Sequence, residues 1–254
     1  WRGPRIAVLL TVLFAVAVST WVDRRRTTDW DSTLWIGIFP IAADAQATTR
    51  DYVDGLTEAQ FAALEPFFAR EARSHGVALE RPVKVVLQPR VADAPPRLAP
   101  VAGVVATMAW SLRMRWYAWR HQGDSLADIR MFVLYHDPER SPAVPHSLGL
   151  QKGLLGVVYA FADESMDGEN AIVIAHEALH TLGATDKYDP ASGQPRYPEG
   201  YAEPAARPRL PQRAAEIMAG RIPLSETRAE MPESLDDVHV GALTASEIHW
   251  SPAP

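Results

Sequence analysis

The sequence predicts an α/β (α+β) chain in which helices pack on a mixed, twisted sheet. Four apolar runs rich in β-branched and aromatic residues have strand length: residues 33–41 (TLWIGIFPI), 82–88 (PVKVVLQ), 128–135 (DIRMFVLY) and 153–162 (GLLGVVYAFA). Helical patterns separate the first three of them, and a long apolar helix over 170–182 follows the fourth. The order strand, helix, strand, helix, strand, strand, helix is that of a sheet layer carrying helices. The chain has 254 residues, 47% hydrophobic and 22% charged, which is enough for one domain with a real core plus an appendage.

The appendage is the N-terminus. From Ile6 to Val22 the chain is almost purely apolar, with Arg2 and Arg5 before it and Arg24, Arg25 and Arg26 after it. The run is at the short end of the ~17–25 residues a spanning helix needs. Trp21 is placed as an interfacial anchor. Residues 1–26 are therefore expected to be a membrane anchor with a single transmembrane helix, or a signal segment cleaved near Ala15, Val16 and Ala17. The anchor reading makes this a single-pass protein of a bacterial inner membrane, with residues 27–254 held outside the cytoplasm.

The remaining elements follow from local chemistry. Thr57 and Gln60 have capping-box spacing and open a helical pattern through Phe61, Leu64, Phe67 and Phe68. Pro66 kinks that helix or starts its second half, and Gly76 is a plausible stop. Residues 91–100 are proline-rich and read as a loop. Residues 102–121 read as a helix bearing Met108, Trp110, Leu112, Met114, Trp116 and Trp119 among Arg113, Arg115 and Arg120. Either its aromatics fill the core, the favoured reading, or it is an amphipathic membrane-surface helix. Residues 141–146 form a loop before the fourth strand. After Gly183 the chain is irregular to about residue 211, and short helical patterns resume at 213–219 and 246–250.

Composition excludes several chemistries. With net charge -6, no basic face for nucleic acid is expected. The chain has no cysteine, so disulfides, zinc ribbons and a thiol nucleophile are out.

The chemistry-bearing segment is His176, Glu177, Ala178, Leu179, His180. Residues four apart on a helix share one face, so both imidazoles can bind one tetrahedral Zn²⁺. Glu177, beside the first ligand, can reach a metal-bound water without coordinating the metal, the place of a general base. Such a five-residue match arises by chance in roughly 1–2% of chains this size, so the extension matters more. Gly183 lies where the helix must end and the chain reverse, and the reversal brings Asp186 back as a third ligand. Asp189 is the alternative third ligand; the motif spacing favours Asp186.

The run HEALHTLGATD resembles the HExxHxxGxx(H/D) signature of metzincin zinc peptidases, with Asp in the third place as in the snapalysin-like branch. The match covers 171–186 and, more loosely, Met218. The resemblance implies one catalytic zinc on His176, His180 and Asp186, with Glu177 as base and Met218 in a turn forming a hydrophobic floor. It also implies that the fourth strand is the cleft edge, with Val157, Val158 and Tyr159 pairing with a peptide or protein substrate. The chain is also similar to uncharacterised membrane-anchored bacterial proteins of this type. It lacks the tyrosine that follows the methionine turn in some branches. Tyr188 and Tyr201 could substitute, although surface or packing roles are preferred for both. Of the other histidines, His146 is the one near the expected cleft. The expected activity is peptide-bond hydrolysis. The alternatives are a membrane-anchored binding module with a structural or vestigial zinc, and a zinc hydrolase of a non-peptide amide.

Overall fold

The computed structural model describes Ile6 and residues 29–97, 103–141, 144, 147–150 and 154–251. Strand β1 (Leu34–Ala42) leads through helix α1 (Ala47–Gly55) and a 3₁₀ turn (Glu58–Phe61) to α2 (Leu64–Ser74). Next come β2 (Val83–Leu87), α3 (Val104–His121) and β3 (Ile129–His136). A short β4 (Leu148–Leu150) precedes β5 (Leu155–Phe161), and α4 (Asp167–Leu182) follows. Beyond it are paired two-residue strands, among them β6 (Ala215–Glu216), and a last helix α5 (Ala242–Glu247).

The main sheet has the order β2-β1-β3-β5-β4. The first four strands are mutually parallel, and β4 is antiparallel to β5. The predicted class, a mixed sheet with packed helices, is the observed one. The strands read as continuous apolar runs because both sheet faces are covered. Alternate side chains divide cleanly: Ile36, Ile38, Met131, Val133 and Val158 join the large cluster under α1, α2 and α4. Phe39, Ile41, Phe132, Leu134 and Val157 join the smaller cluster under α3.

The start of α2 obeys its local signals. Thr57 and Gln60 form the capping box of the 3₁₀ turn, and Pro66 falls in the first turn of α2, where its missing N–H costs nothing. Gly76 ends the segment at φ 84°. At the far end of the chain, the indole of Trp30 donates to the Ile248 carbonyl (2.8 Å), and its ring meets Trp250 edge-on. The segment that leads into β1 is thereby tied to the segment after α5.

Several expectations are corrected. β5 is not the sheet edge: Val157 pairs with Phe132 on one side and Leu148 on the other. Val158 and Tyr159 pair with β3, and the Ser147 hydroxyl accepts the Tyr159 N–H (3.0 Å). The edge is β4, whose three residues are too short to show a period. Residues 213–219 are not helical; they hold β6 and a tight turn. Residues Ala47–Gly55, for which the sequence predicts no element, form α1. In α3, Trp110 and Met114 fill the core as expected, but Met108, Leu112, Trp116 and Trp119 are exposed. Among the described residues no helix is long and apolar enough to cross a membrane, which overturns the expectation of a transmembrane, single-pass protein. Apart from Ile6, the N-terminal run on which it was based lies outside the described residues, as does His146.

Phe68 is fully buried at the centre of the large cluster. Phe68→Ala is expected to lower the unfolding free energy by about 3–5 kcal/mol in urea titration, with little change in slope.

Candidate metal centre

α4 is built to hold its polar face in an apolar setting. Asp167 and Glu169 sit in its first turn, where carboxylates complement the helix dipole. Asn170 bridges to Phe161 of β5 through both ends of its amide (3.0 and 2.9 Å). Ala171, Ile172, Ile174, Ala175, Ala178 and Leu179 are buried in the large cluster. One turn apart on this helix, the His176 and His180 rings stand 4.7 Å centroid to centroid.

The helix stops as its sequence requires. Gly183 takes φ 115°, a conformation that L side chains resist. Its N–H donates to the His180 carbonyl and the Ala184 N–H to the Leu179 carbonyl (both 3.1 Å), the paired bonds of a Schellman end. The Ala184 carbonyl then accepts from His180 Nδ1 (2.8 Å). The Ile217 carbonyl does the same for His176 Nδ1 (2.9 Å). A carbonyl can only accept, so both Nδ1 atoms carry the proton, and in the neutral rings both Nε2 atoms are lone-pair donors.

Asp186 returns to these two nitrogens. Its Oδ1 lies 3.3 Å from His176 Nε2 and 3.1 Å from His180 Nε2. Asp189 turns away, accepting the Ala191 and Ser192 amides of its own loop (both 2.9 Å). The ligand atoms of His176, His180 and Asp186 lie within 4.8 Å of one another and could hold a metal ion. Burial opposes ionisation of Asp186, but the His176 and His180 imidazoles outweigh it and hold the carboxyl well below the usual range. Burial likewise disfavours charge on His180, yet the Asp186 carboxylate raises its pKa. Two nitrogens and one carboxylate oxygen form a donor set of the kind that binds divalent metal ions.

Glu177 is buried close enough to His176, His180 and Asp186 to interact with them electrostatically. Burial pushes its carboxyl up, while His176 and His180 pull it down. The Gly149 amide of β4 contributes a weak downward pull, but no hydrogen bond of good geometry reaches Glu177 Oε2. β4 crosses the helix closely here. A Cβ on Gly149 would collide with His180 Cβ and lie 2.6 Å from the Glu177 carbonyl oxygen, so only glycine fits.

Met218 is fully buried in the cluster that also holds Ala175, Ala178 and Leu179. Its turn is organised by a residue that sequence reasoning missed. The buried Glu216 carboxylate accepts the Met218 and Ala219 amides on Oε2 (2.7 and 3.0 Å). On Oε1 it accepts the Gly241 amide and the Thr244 hydroxyl (3.1 and 2.6 Å). The same turn presents the Ile217 carbonyl to His176. Lys187, next to Asp186, donates its N–H to the Met218 carbonyl (2.9 Å), and its ammonium pairs with Glu247 of α5 (2.7 Å). A lone acid in the apolar run AEIMAG was the available signal for Glu216.

Tyr188 is half-buried beside the centre: burial raises its pKa, with Asp186 and Glu177 adding to the effect. It is not a distant surface tyrosine. Tyr201, in contrast, is a packing residue, buried edge-on against Tyr197. Outside this centre, His75 is bonded to the Val240 carbonyl, and His121 and His239 lie against Asp93 and Glu71.

No family model matches this chain, and no curated protein matches it. Among solved structures, it is similar to wild-type OgpA from Akkermansia muciniphila in one crystal form, with TM-score 0.37 and 11% identity over 87% of this chain. A second crystal form gives TM-score 0.34 and 9% identity over 90% of this chain and 67% of that one. The chain spans 62% of the length of the first OgpA chain. At these scores the likeness is too distant to carry chemistry from one chain to the other.

Glu177 titrates higher in the folded chain than unfolded, so the folded state binds the extra proton. Stability therefore falls as pH rises from the ordinary carboxylate value through the raised one. In metal-free protein at neutral pH, Glu177→Gln, which carries no charge for burial to disfavour, should be more stable than wild type. The difference should shrink in acid; equal stability at neutral pH in denaturant titration contradicts this account.

Proposed function

We propose that the chain is a zinc-dependent peptidase, most plainly an endopeptidase of metzincin type. The observation that carries the reading is the convergence of His176 Nε2, His180 Nε2 and Asp186 Oδ1 beside a buried carboxylate that lacks a good hydrogen-bond partner. A zinc ion held by those three residues would supply Lewis acidity towards a carbonyl and lower the pKa of water. Three protein donors, with Glu177 adjacent, leave a position open, whereas a structural site is closed by four.

The protein's own groups do the rest. Glu177 takes the proton from the attacking water and delivers it to the leaving amine. Its burial keeps the carboxylate basic enough for that exchange. Ile217 and Ala184 hold the imidazoles in one tautomer and one orientation through the reaction. Tyr188, beside Asp186 and Glu177, can donate its hydroxyl proton to charge developing on the carbonyl oxygen. The last strand of the sheet, β4, lies over α4 with one side unpaired by the other described strands, so an extended peptide can add there as a further strand.

Purified protein should bind one zinc per chain and cleave an unstructured protein such as casein. Glu177→Ala should keep the metal while cleavage falls by about 10²–10⁴-fold, the usual share of a general base. Unchanged cleavage would sink the assignment. Tyr188→Phe should lower kcat by about tenfold or more with KM little changed if its hydroxyl acts on the transition state. An effect confined to KM would place it in substrate binding instead.

A further inference from the structure

α3 is apolar on two opposite faces. Trp110, Met114, Tyr117 and Ala118 form the inner face, buried with Phe39, Phe132 and Leu155 of the sheet. Val105, Met108, Leu112, Trp116 and Trp119 recur at steps of three and four, which places them in one row on the opposite side. They are exposed by 80%, 63%, 66%, 57% and 66% respectively. Isolated exposed apolar residues are ordinary; a continuous row that includes two tryptophans is not.

The borders of the row are cationic. Arg113 and Arg120 flank it on one side and Arg115 on the other, by helical geometry. The Arg120 guanidinium lies 5.5 Å over the Trp116 ring. No acidic residue occurs between Asp93 and Asp124, in a chain whose net charge is -6. The helix is thus a local basic strip on an acidic protein.

The pattern discriminates among occupants. A second copy would oppose two arginine-bordered rows, like charge against like. Nucleic acid would engage the arginines and leave the apolar row in water. An anionic bilayer uses both: the row enters the acyl boundary, the indoles lie at headgroup depth, and the guanidiniums reach phosphates. We propose that α3 docks this protein on the surface of an anionic phospholipid bilayer through Val105, Met108, Leu112, Trp116 and Trp119, with Arg113 and Arg120 on lipid phosphates. The helix lies along the surface and does not cross it. α3 covers one face of the sheet and α4 the other, so docking leaves the metal-centre side uncovered.

The absence of cysteine makes a clean test. Leu112→Cys in the full chain carries a nitrobenzoxadiazole reporter, and Arg73→Cys on α2, across the sheet, carries it as control. Each is mixed with vesicles of phosphatidylcholine alone or with phosphatidylglycerol added. The residue 112 reporter should shift blue and brighten about threefold or more on anionic vesicles only, with the control unchanged. Arg113→Glu with Arg120→Glu should abolish the response, as should Trp119→Glu, while thermal unfolding shows each variant folded. Several outcomes would overturn the proposal: silence at residue 112, an equal response from the control or from neutral lipid, or variants that respond like the parent. A lipid-independent response that grows with protein concentration would also overturn it, by assigning the row to a second copy.

Discussion

His176 and His180 each give their Nδ1 proton to a main-chain carbonyl, of Ile217 and of Ala184, and the rest of the centre depends on those two bonds. They fix which nitrogen faces inward, and they couple each ring to a different piece of chain. One carbonyl belongs to the residue that follows the helix stop at Gly183. The other belongs to the turn around Met218. The candidate metal centre is therefore where the end of α4 meets a turn more than thirty residues downstream, and neither piece alone orients both rings.

That dependence explains the buried polar groups behind the centre. Glu216 is a desolvated carboxylate, which is costly unless its oxygens are occupied; here four donors occupy them. Its four bonds hold the Met218 turn against the segment leading into α5. Lys187 makes a second tie, bonding the same turn through its backbone and Glu247 through its ammonium. Glu177 is the exception among the buried acids, because Oε2 has no good hydrogen-bond partner. Burial without such a partner disfavours the charged form of Glu177 and raises its pKa.

The sheet separates two environments. On the α4 side lie the large cluster and the candidate metal centre; on the α3 side lie a smaller cluster and, beyond it, an outward apolar row bordered by arginines. The second arrangement has a low amphipathic signal because α3 is apolar in two directions. Its buried and exposed aromatics look alike in the sequence, and only the position of the sheet distinguishes them.

The sequence by itself determined which residues can form the candidate site and most of the frame that carries them. Helical period places His176 and His180 on one face, Gly183 permits the reversal, and Asp186 follows at the distance the reversal needs. Four strands and the main helices were legible because period and capping are local properties. Tertiary structure decided the rest. β4 is three residues long and acquires its identity as edge strand only by pairing with β5 and crossing α4 at Gly149. That contact makes β4, and not the strand of Val157, Val158 and Tyr159, the outer strand on this side of the sheet. Asp186 and Asp189 are equally acidic in sequence, and loop hydrogen bonds send one to the histidines and the other back to its own turn. The Glu216 bonds and the outward face of α3 likewise depend on partners distant in the chain, and such contacts leave no local period to read.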